Sequence, residues 1–292
     1  MKKNENILVH IIFILLCLTF IVPFLYVITI SFTGEEELMK EGYKLLPKTW
    51  TLDAYKFVFK NPHSIIQAYK ITAIQAFVGM GLSVLAMAFC AYPLSRRNYA
   101  LAKPTMIFIL ITMLFSVGMV PSYIINTKYL HLGNSIWVYI LPGMVSGFQI
   151  VILRTFFADL PESLIESAKI DGAREMRIFW TIIMPLSKPA IATIALLQLL
   201  DRWNSWQPSL LYMTDTNYYT LQYLLQRILR EAEFVKNMVM EGMAVDGVSV
   251  QELPNESARF AMCLIATGPM LVIFPFFQKY FTKGLTVGAV KG

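Results

Sequence analysis

The chain has 292 residues, of which 56% are apolar and 15% charged, with a net charge of +6. Soluble domains carry roughly 25% charged residues, so this composition excludes a cytosolic enzyme, a disordered protein and a secreted disulfide scaffold. Cys17, Cys90 and Cys263 each stand alone in an apolar run, without the spacing of a disulfide framework or a metal site.

A bilayer core about 30 Å thick needs roughly 20 apolar residues in a helix. Residues 7–32 form the first such run; it carries no charge and exceeds the apolar core of a signal peptide, so it is read as a retained span. The second covers 68–94 and ends at Pro93, followed by Ser95-Arg96-Arg97. The third covers 104–125. The fourth, 135–157, contains Gly143 and Gly147 at a spacing that lets two helices approach closely. The fifth covers 189–213 and the sixth 258–281. The expected fold class is therefore an all-α membrane protein with six transmembrane helices in one permease domain, 1–292. With both termini inside, the inner segments hold 13 Lys/Arg against 6 acids, and the outer side 11 against 12. This is the positive-inside pattern, so the basic balance reports topology and not nucleic-acid binding.

Two outer segments are long, 33–67 and 214–257. In the second, Leu221, Leu224, Leu225, Ile228, Leu229 and Ala232 recur with helical period, predicting an amphipathic helix over 219–240. Gly242, Asp246, Gly247 and Pro254 then break the chain into turns. This segment either meets a partner outside or caps the bundle.

The inner loop 158–188 has the pattern of a short helix, a glycine turn and a second helix. Pro161 suits a helical first turn, Leu164, Ile165 and Ala168 make a short apolar face, and Gly172 suits the left-handed residue that ends a helix. The second helix runs from about Ala173 and is expected to break at Pro185 and Pro189. The result is a rigid knob at the membrane surface.

Glu166-Ser167-Ala168, Asp171-Gly172-Ala173, Ile182 and Pro185 resemble the Glu-Ala-Ala loop of ABC-importer permeases, with Ser167 in place of alanine and Met184 in place of leucine. Trp203-Asn204-Ser205-Trp206 and the ending Gly284 to Gly292 resemble the carbohydrate-uptake branch, the maltose-transporter type. The resemblance covers nearly the whole chain and implies a type I importer subunit of the bacterial cell membrane with cytoplasmic termini. It implies a second homologous permease forming a heterodimer, two ATP-binding subunits inside, and an extracytoplasmic solute-binding protein. Glu166, Ser167, Ala168, Asp171 and Gly172 would couple to an ATPase, with Asp171 supporting the turn, and the tail from Val287 would reach the ATPase interface. ATP and Mg would sit on the partner subunits.

This chain carries no phosphate-binding glycine loop and no zinc-protease motif, and His10, His63 and His131 are isolated. No cofactor and no metal is therefore assigned to it. The notable intramembrane polar residues lie in the fifth span: Gln198, Asp201, Arg202, Asn204 and Ser205. An arginine at membrane depth must face protein, water or a carboxylate. With Trp203 and Trp206 able to stack on sugar rings, Gln198, Arg202, Trp203, Asn204, Ser205 and Trp206 are the candidate translocation path. The alternative is that they brace the span against the partner permease. The leading function is ATP-driven uptake of a sugar, in particular an oligosaccharide. Uptake of a non-sugar solute, a polytopic enzyme and a receptor without transport are the competing readings. An enzyme would need convergent catalytic groups, which the sequence does not offer.

Overall fold

The computed structural model describes residues 2–115, 117–240 and 256–289. Among these, every regular element is helical, and extended pairing is limited to one bridge between Thr33 and Trp50. In chain order the helices are α1 (Lys2–Ser31), α2 (Glu35–Glu41), α3 (Asp53–Val58), α4 (Pro62–Leu94), α5 (Ala102–Leu114), α6 (Met119–Ile124), α7 (Trp137–Ile140), α8 (Gly147–Ala158), α9 (Glu162–Ile170), α10 (Glu175–Ile178), α11 (Met184–Leu186), α12 (Lys188–Asn204), α13 (Gln207–Tyr212), α14 (Leu221–Met240) and α15 (Glu256–Ala289). A π-helical turn, Ile125–Tyr129, extends α6, and another, Phe179–Ile183, joins α10 to α11.

The all-α membrane class is the observed one. Of the six expected spans, three are single helices long and apolar enough to cross a bilayer: Val9–Ser31 in α1, Pro62–Leu94, and Glu256–Gln278 in α15. The others are interrupted. In the third, Ala102–Leu114 and Met119–Tyr129 meet at 111°, across an extended Phe115 and a left-handed Gly118 (φ 81°). The fourth is α7 and α8, parted at Pro142 and the left-handed Gly143 (φ 73°). The fifth leaves helix at Ser205 and restarts as α13 with Pro208 in its first turn. Gly143 therefore does not serve helix packing, because it lies in a turn with open space about its Cβ position. Gly147 does: a Cβ there would lie 2.8 Å from Met113 Cγ, so α5 and α8 touch where glycine lets them. The expected break at Pro185 is not found. The helix carries the ring past the widened π-helical turn and bends by 80° at Ser187, before Pro189.

The chain forms two compact units. The first comprises Met1–Ile65 and Leu224–Pro269. Its α1 exposes Phe13, Ile14 and Phe20, the all-round apolar surface of a helix that meets lipid or a partner in place of water. The Glu35 carboxylate accepts from the backbone N–H of Glu256 at 3.3 Å and of Ser257 at 3.4 Å, capping α15 with the negative charge its N-terminus favours. Glu37 accepts from Lys48 N (2.7 Å), Thr49 N (3.0 Å) and Thr49 Oγ1 (2.6 Å), fastening the following loop to α2. The expected outer helix is observed as α14. The expected turns at Gly242, Asp246, Gly247 and Pro254, and the tail end at 290–292, lie outside the described residues; the backbone through Ala289 is helical.

The second unit comprises Ile66–Tyr223 and Met270–Gly292. Its main core joins α4 (Met87, Ala91), α8 (Leu153, Phe157), α9 (Ile165), the segment Ile178–Ile183 and α12 (Ile194). A smaller cluster of Ile71, Val138, Tyr139, Met213 and Tyr219 packs α4, α7 and the residues flanking α13. In a bilayer such contacts act through close packing more than through exclusion of water.

Candidate functional site

Two regions of the second unit hold the residues singled out from the sequence. The first is the knob on α9. Ile165 is 3% exposed and anchors the helix to the core, with Ala168 and Ala173 packed beside it. Glu166, Ser167, Asp171 and Gly172 are exposed, and so is Ile170 at 85%, a large apolar residue at the tip. The turn closes as the left-handed helix ending predicted for Gly172, whose φ is 76°. Gly172 N donates to Lys169 O at 3.0 Å and Ala173 N to Ala168 O at 2.9 Å, the paired bonds of a Schellman motif. Backbone groups do this work. The Asp171 carboxylate makes no hydrogen bond or ion pair among the described residues and is presented to solvent.

Sequence reasoning missed the tie that holds this knob. Glu175 Oε1 pairs with Lys169 Nζ at 2.7 Å, and its Oε2 accepts from Tyr92 OH at 2.5 Å. The carboxylate thus joins the end of α9 to the end of α4 across the glycine turn. Lys169 first and the Tyr92 hydroxyl second hold the Glu175 carboxyl below its usual range. Opposite charges flanking Gly172, at Lys169 and Glu175, are the signal that was there to be read.

The second region is a cleft of about 650 Å³. Its wall includes Phe115, Val117 and Gly118, Pro142 and Gly143, and Ser205, Gln207 and Pro208. All three interruptions of the predicted spans therefore open onto one cavity. Irregular backbone at membrane depth persists only where it is buried in protein or lines a cavity, and interrupted helices mark transport sites. Gln75, Thr112, Ser122, Asn126, Asp201 and Tyr212 add polar groups to the lining.

Arg202 holds two of these breaks together. It is 6% exposed. Its Nη1 donates to Tyr139 O at 2.7 Å and its Nη2 to Ile140 O at 3.4 Å, the carbonyls at the end of α7. Nη2 also donates to Ser83 Oγ at 2.8 Å, and Nε to Gln198 Oε1 at 3.3 Å. Gln75 Nε2 donates in turn to Arg202 O at 2.6 Å, where α12 is about to end. A Cβ at Gly79 would lie 2.6 Å from Arg202 Nη1. Gln75, Gly79 and Ser83 stand at i, i+4 and i+8 on α4, a polar and small stripe that receives the arginine.

The six candidate path residues divide. Arg202 and Ser205 line the cleft. Asn204 and Trp206 line an adjoining recess of about 430 Å³ that shares Asp201, Ser205 and Gln207 with it. Gln198 lies in the interior, bonded to Gln149 Oε1 at 2.8 Å. Trp203 is 3% exposed and packs 6.4 Å from the Tyr69 ring, away from both openings. The lining offers hydroxyls, amides and one carboxylate beside aromatic rings, a set that exchanges hydrogen bonds with a polyhydroxylated solute.

Residues 78–287 match the family described as "Binding-protein-dependent transport system inner membrane component". The polygalacturonan/rhamnogalacturonan transport system permease protein YtcP of Bacillus subtilis is 37% identical over 280 residues, covering 96% of this chain and 94% of the relative. Protein LplC of the same organism is 38% identical over 274 residues, covering 93% and 90%. Its arabinooligosaccharides transport system permease protein AraQ is 30% identical over 287 residues, covering 96% and 94%. In fold, the chain is similar to a chain of a bacterial ABC transporter involved in the import of the acidic polysaccharide alginate, with a TM-score of 0.80 at 24% identity, covering 96% and 97%.

Proposed function

The chain belongs to the family of binding-protein-dependent transport system inner membrane components, and from that membership we propose how its two sites work together. It is a permease subunit of a sugar ABC importer in the bacterial plasma membrane, and it is not itself an ATPase. It works with other components of the transporter and with a substrate-binding protein.

The finer reading is an oligosaccharide importer in which this chain pairs with a second homologous permease and two ATP-binding subunits. This reading takes the chain as six spans, three of them broken, with both termini and the knob in the cytoplasm, as the excess of Lys/Arg over acids in those segments supports. Relatives named for polygalacturonan/rhamnogalacturonan and for arabinooligosaccharides support an oligosaccharide over a non-sugar solute. The single observation that carries the reading is the convergence of three helix breaks on one polar cleft.

The chain's own residues suggest the order of events. Ile170, Glu166 and Asp171 are exposed at the tip and enter a groove of an ATP-binding partner. The tie through Glu175 makes α9 move with α4, and the continuous path through α10 and α11 passes the motion to α12. That helix is about 25 Å long at 1.5 Å per residue and carries in its last turn Arg202, the residue that clamps α7. Movement of the knob therefore reaches the backbone that lines the cleft. Proteoliposomes holding the complete transporter test this: the reading expects sugar uptake that requires ATP, and uptake of sugar without ATP, or none with every partner present, would refute it.

A further inference from the structure

Beside the coupling loop, a recess of about 490 Å³ lies between the end of α4, the start of α5 and the end of α8. Four of its lining residues are cationic, Arg96, Arg97, Lys103 and Arg154, and none is acidic; Met106 and Ile107 supply an apolar wall. Arg154 Nε donates to Leu94 O at 3.2 Å. Arg96 Nη2 donates to Phe157 O at 3.3 Å and its Nε to Ser95 Oγ at 3.2 Å, with the guanidinium 5.0 Å from the Tyr92 ring centre. These bonds fix two guanidinium planes while engaging one or two of the five N–H donors of each. Lys103 makes no hydrogen bond or ion pair among the described residues. Arg97 pairs with Glu162 at 3.5 Å, but both side chains are more than half exposed, so a stronger anion can displace that contact.

Below the cations the surface turns apolar. Ile107, Ile111 and Leu114 follow Lys103 at i+4, i+8 and i+11, on one face of α5, and are 49%, 47% and 79% exposed. From Lys103 to Leu114 the helix rises about 16 Å, close to half of a bilayer core of roughly 30 Å. A concentrated positive pocket above an apolar stripe one leaflet deep matches a molecule with an anionic head and a hydrocarbon tail. Basic pockets between membrane helices on the cytoplasmic side bind such headgroups.

We propose that this recess binds the phosphate headgroup of an anionic phospholipid, with an acyl chain lying along Ile107 to Leu114. The inference rests on the reading of the chain as a cytoplasm-coupled permease. The headgroup competes with Glu162 for Arg97, and Glu162 begins α9, so occupancy of the recess is felt at the first turn of the knob.

The test uses the complete transporter, purified and passed through nanodiscs of phosphatidylcholine with increasing phosphatidylglycerol, with retained lipid counted by native mass spectrometry. Lys103→Glu should lower retained phosphatidylglycerol roughly tenfold or more and leave phosphatidylcholine unchanged. Lys188→Glu, the same charge change at an exposed site outside the recess, should alter neither. Should Lys103→Glu fail to assemble, Lys103→Gln is expected to show a smaller loss in the same direction. Equal retention by the Lys103 variant and the parent protein would overturn the proposal. So would complete displacement of the lipid by inorganic phosphate alone, because the site would then be one for free phosphate. Retention is measured before sugar is added, so a failure of uptake in the same preparation would count against the cleft and not against the lipid site.

Discussion

Gly79→Ala is expected to unseat Arg202 without adding a polar group or a charge. The new Cβ would lie 2.6 Å from Nη1, 2.8 Å from Cζ and 2.9 Å from Cδ of Arg202. Against an optimum of about 3.5 Å between non-bonded heavy atoms, the shortfall is roughly 0.6–0.9 Å. The contact with Cδ prevents a simple swing of the guanidinium tip, so the whole end of the side chain must retreat from α4. Ser83 Oγ stays behind on that helix, and its 2.8 Å bond from Nη2 is then stretched to the limit of a useful hydrogen bond. Loss of one hydrogen bond to a charged group costs about 1.5–3 kcal/mol. Arg202→Leu is harsher: it leaves the carbonyls of Tyr139 and Ile140 without their donor, at about 1–3 kcal/mol each. Leucine does not fill the slot against α4, so Gly79→Ala should be nearly silent in the Arg202→Leu background. The assay is a double-mutant cycle on the thermal stability of the purified transporter, with sugar uptake measured alongside. Coupling between the two sites of about 1–3 kcal/mol is expected. Strict additivity, or a Gly79→Ala protein with parental stability and uptake, would refute the clamp.

At the knob, Gly172→Ala should cost only about 1–2 kcal/mol, because its φ of 76° is strained for alanine while nothing lies within 4 Å of the new Cβ. Gly172→Pro forces φ to about −65° and removes the N–H bonded to Lys169, so ATPase activity should lose its response to substrate in an assembled complex; a normal response would refute the assigned turn. Glu175→Gln should weaken both arms of the tie and lower both thermal stability and substrate-stimulated ATPase activity, whereas Asp171→Asn should leave thermal stability at the parental value, as read by the same two assays on each variant. The Glu175 carboxyl is held below its usual value, so its contribution is present above the unfolded value near 4.5 and is lost as pH falls through the lower folded value; a stability profile in which Glu175→Gln abolishes part of the acid-side decline checks the sign. For topology, a cysteine at Asn98 or Glu175 should be shielded from an impermeant thiol reagent in intact cells and one at Asn217 labelled, in a chain lacking Cys17, Cys90 and Cys263; labelling at Glu175 from outside would overturn the cytoplasmic placement of the knob.

The features that were legible in the sequence are those set by short stretches of chain. Gly172 was identified because a left-handed helix ending has a local pattern, and α14 because its apolar residues recur at helical spacing. The broken spans were not legible in the same way. Gly118, Pro142, Gly143 and Pro208 are ordinary turn signals, but each sits inside an apolar run whose average hydropathy passes over it. What makes the breaks stable is distant in sequence: Gln75 on α4 and Arg202 on α12 supply and receive the hydrogen bonds that irregular backbone needs at that depth. Trp203 shows the limit most plainly. It was grouped with Trp206 by adjacency in one motif, yet α12 ends between them, which buries the first against Tyr69 and leaves the second at a recess.

The central claim is that the cleft where the three broken spans meet carries the sugar. Ser205→Trp tests it most directly, because Ser205 lines that cleft and its neighbouring recess and its side chain takes no part in the Arg202 clamp. In proteoliposomes containing the complete transporter, the account predicts that this variant assembles in normal yield, still hydrolyses ATP, and loses sugar uptake. Uptake at the parental rate from the same assembled variant would contradict it.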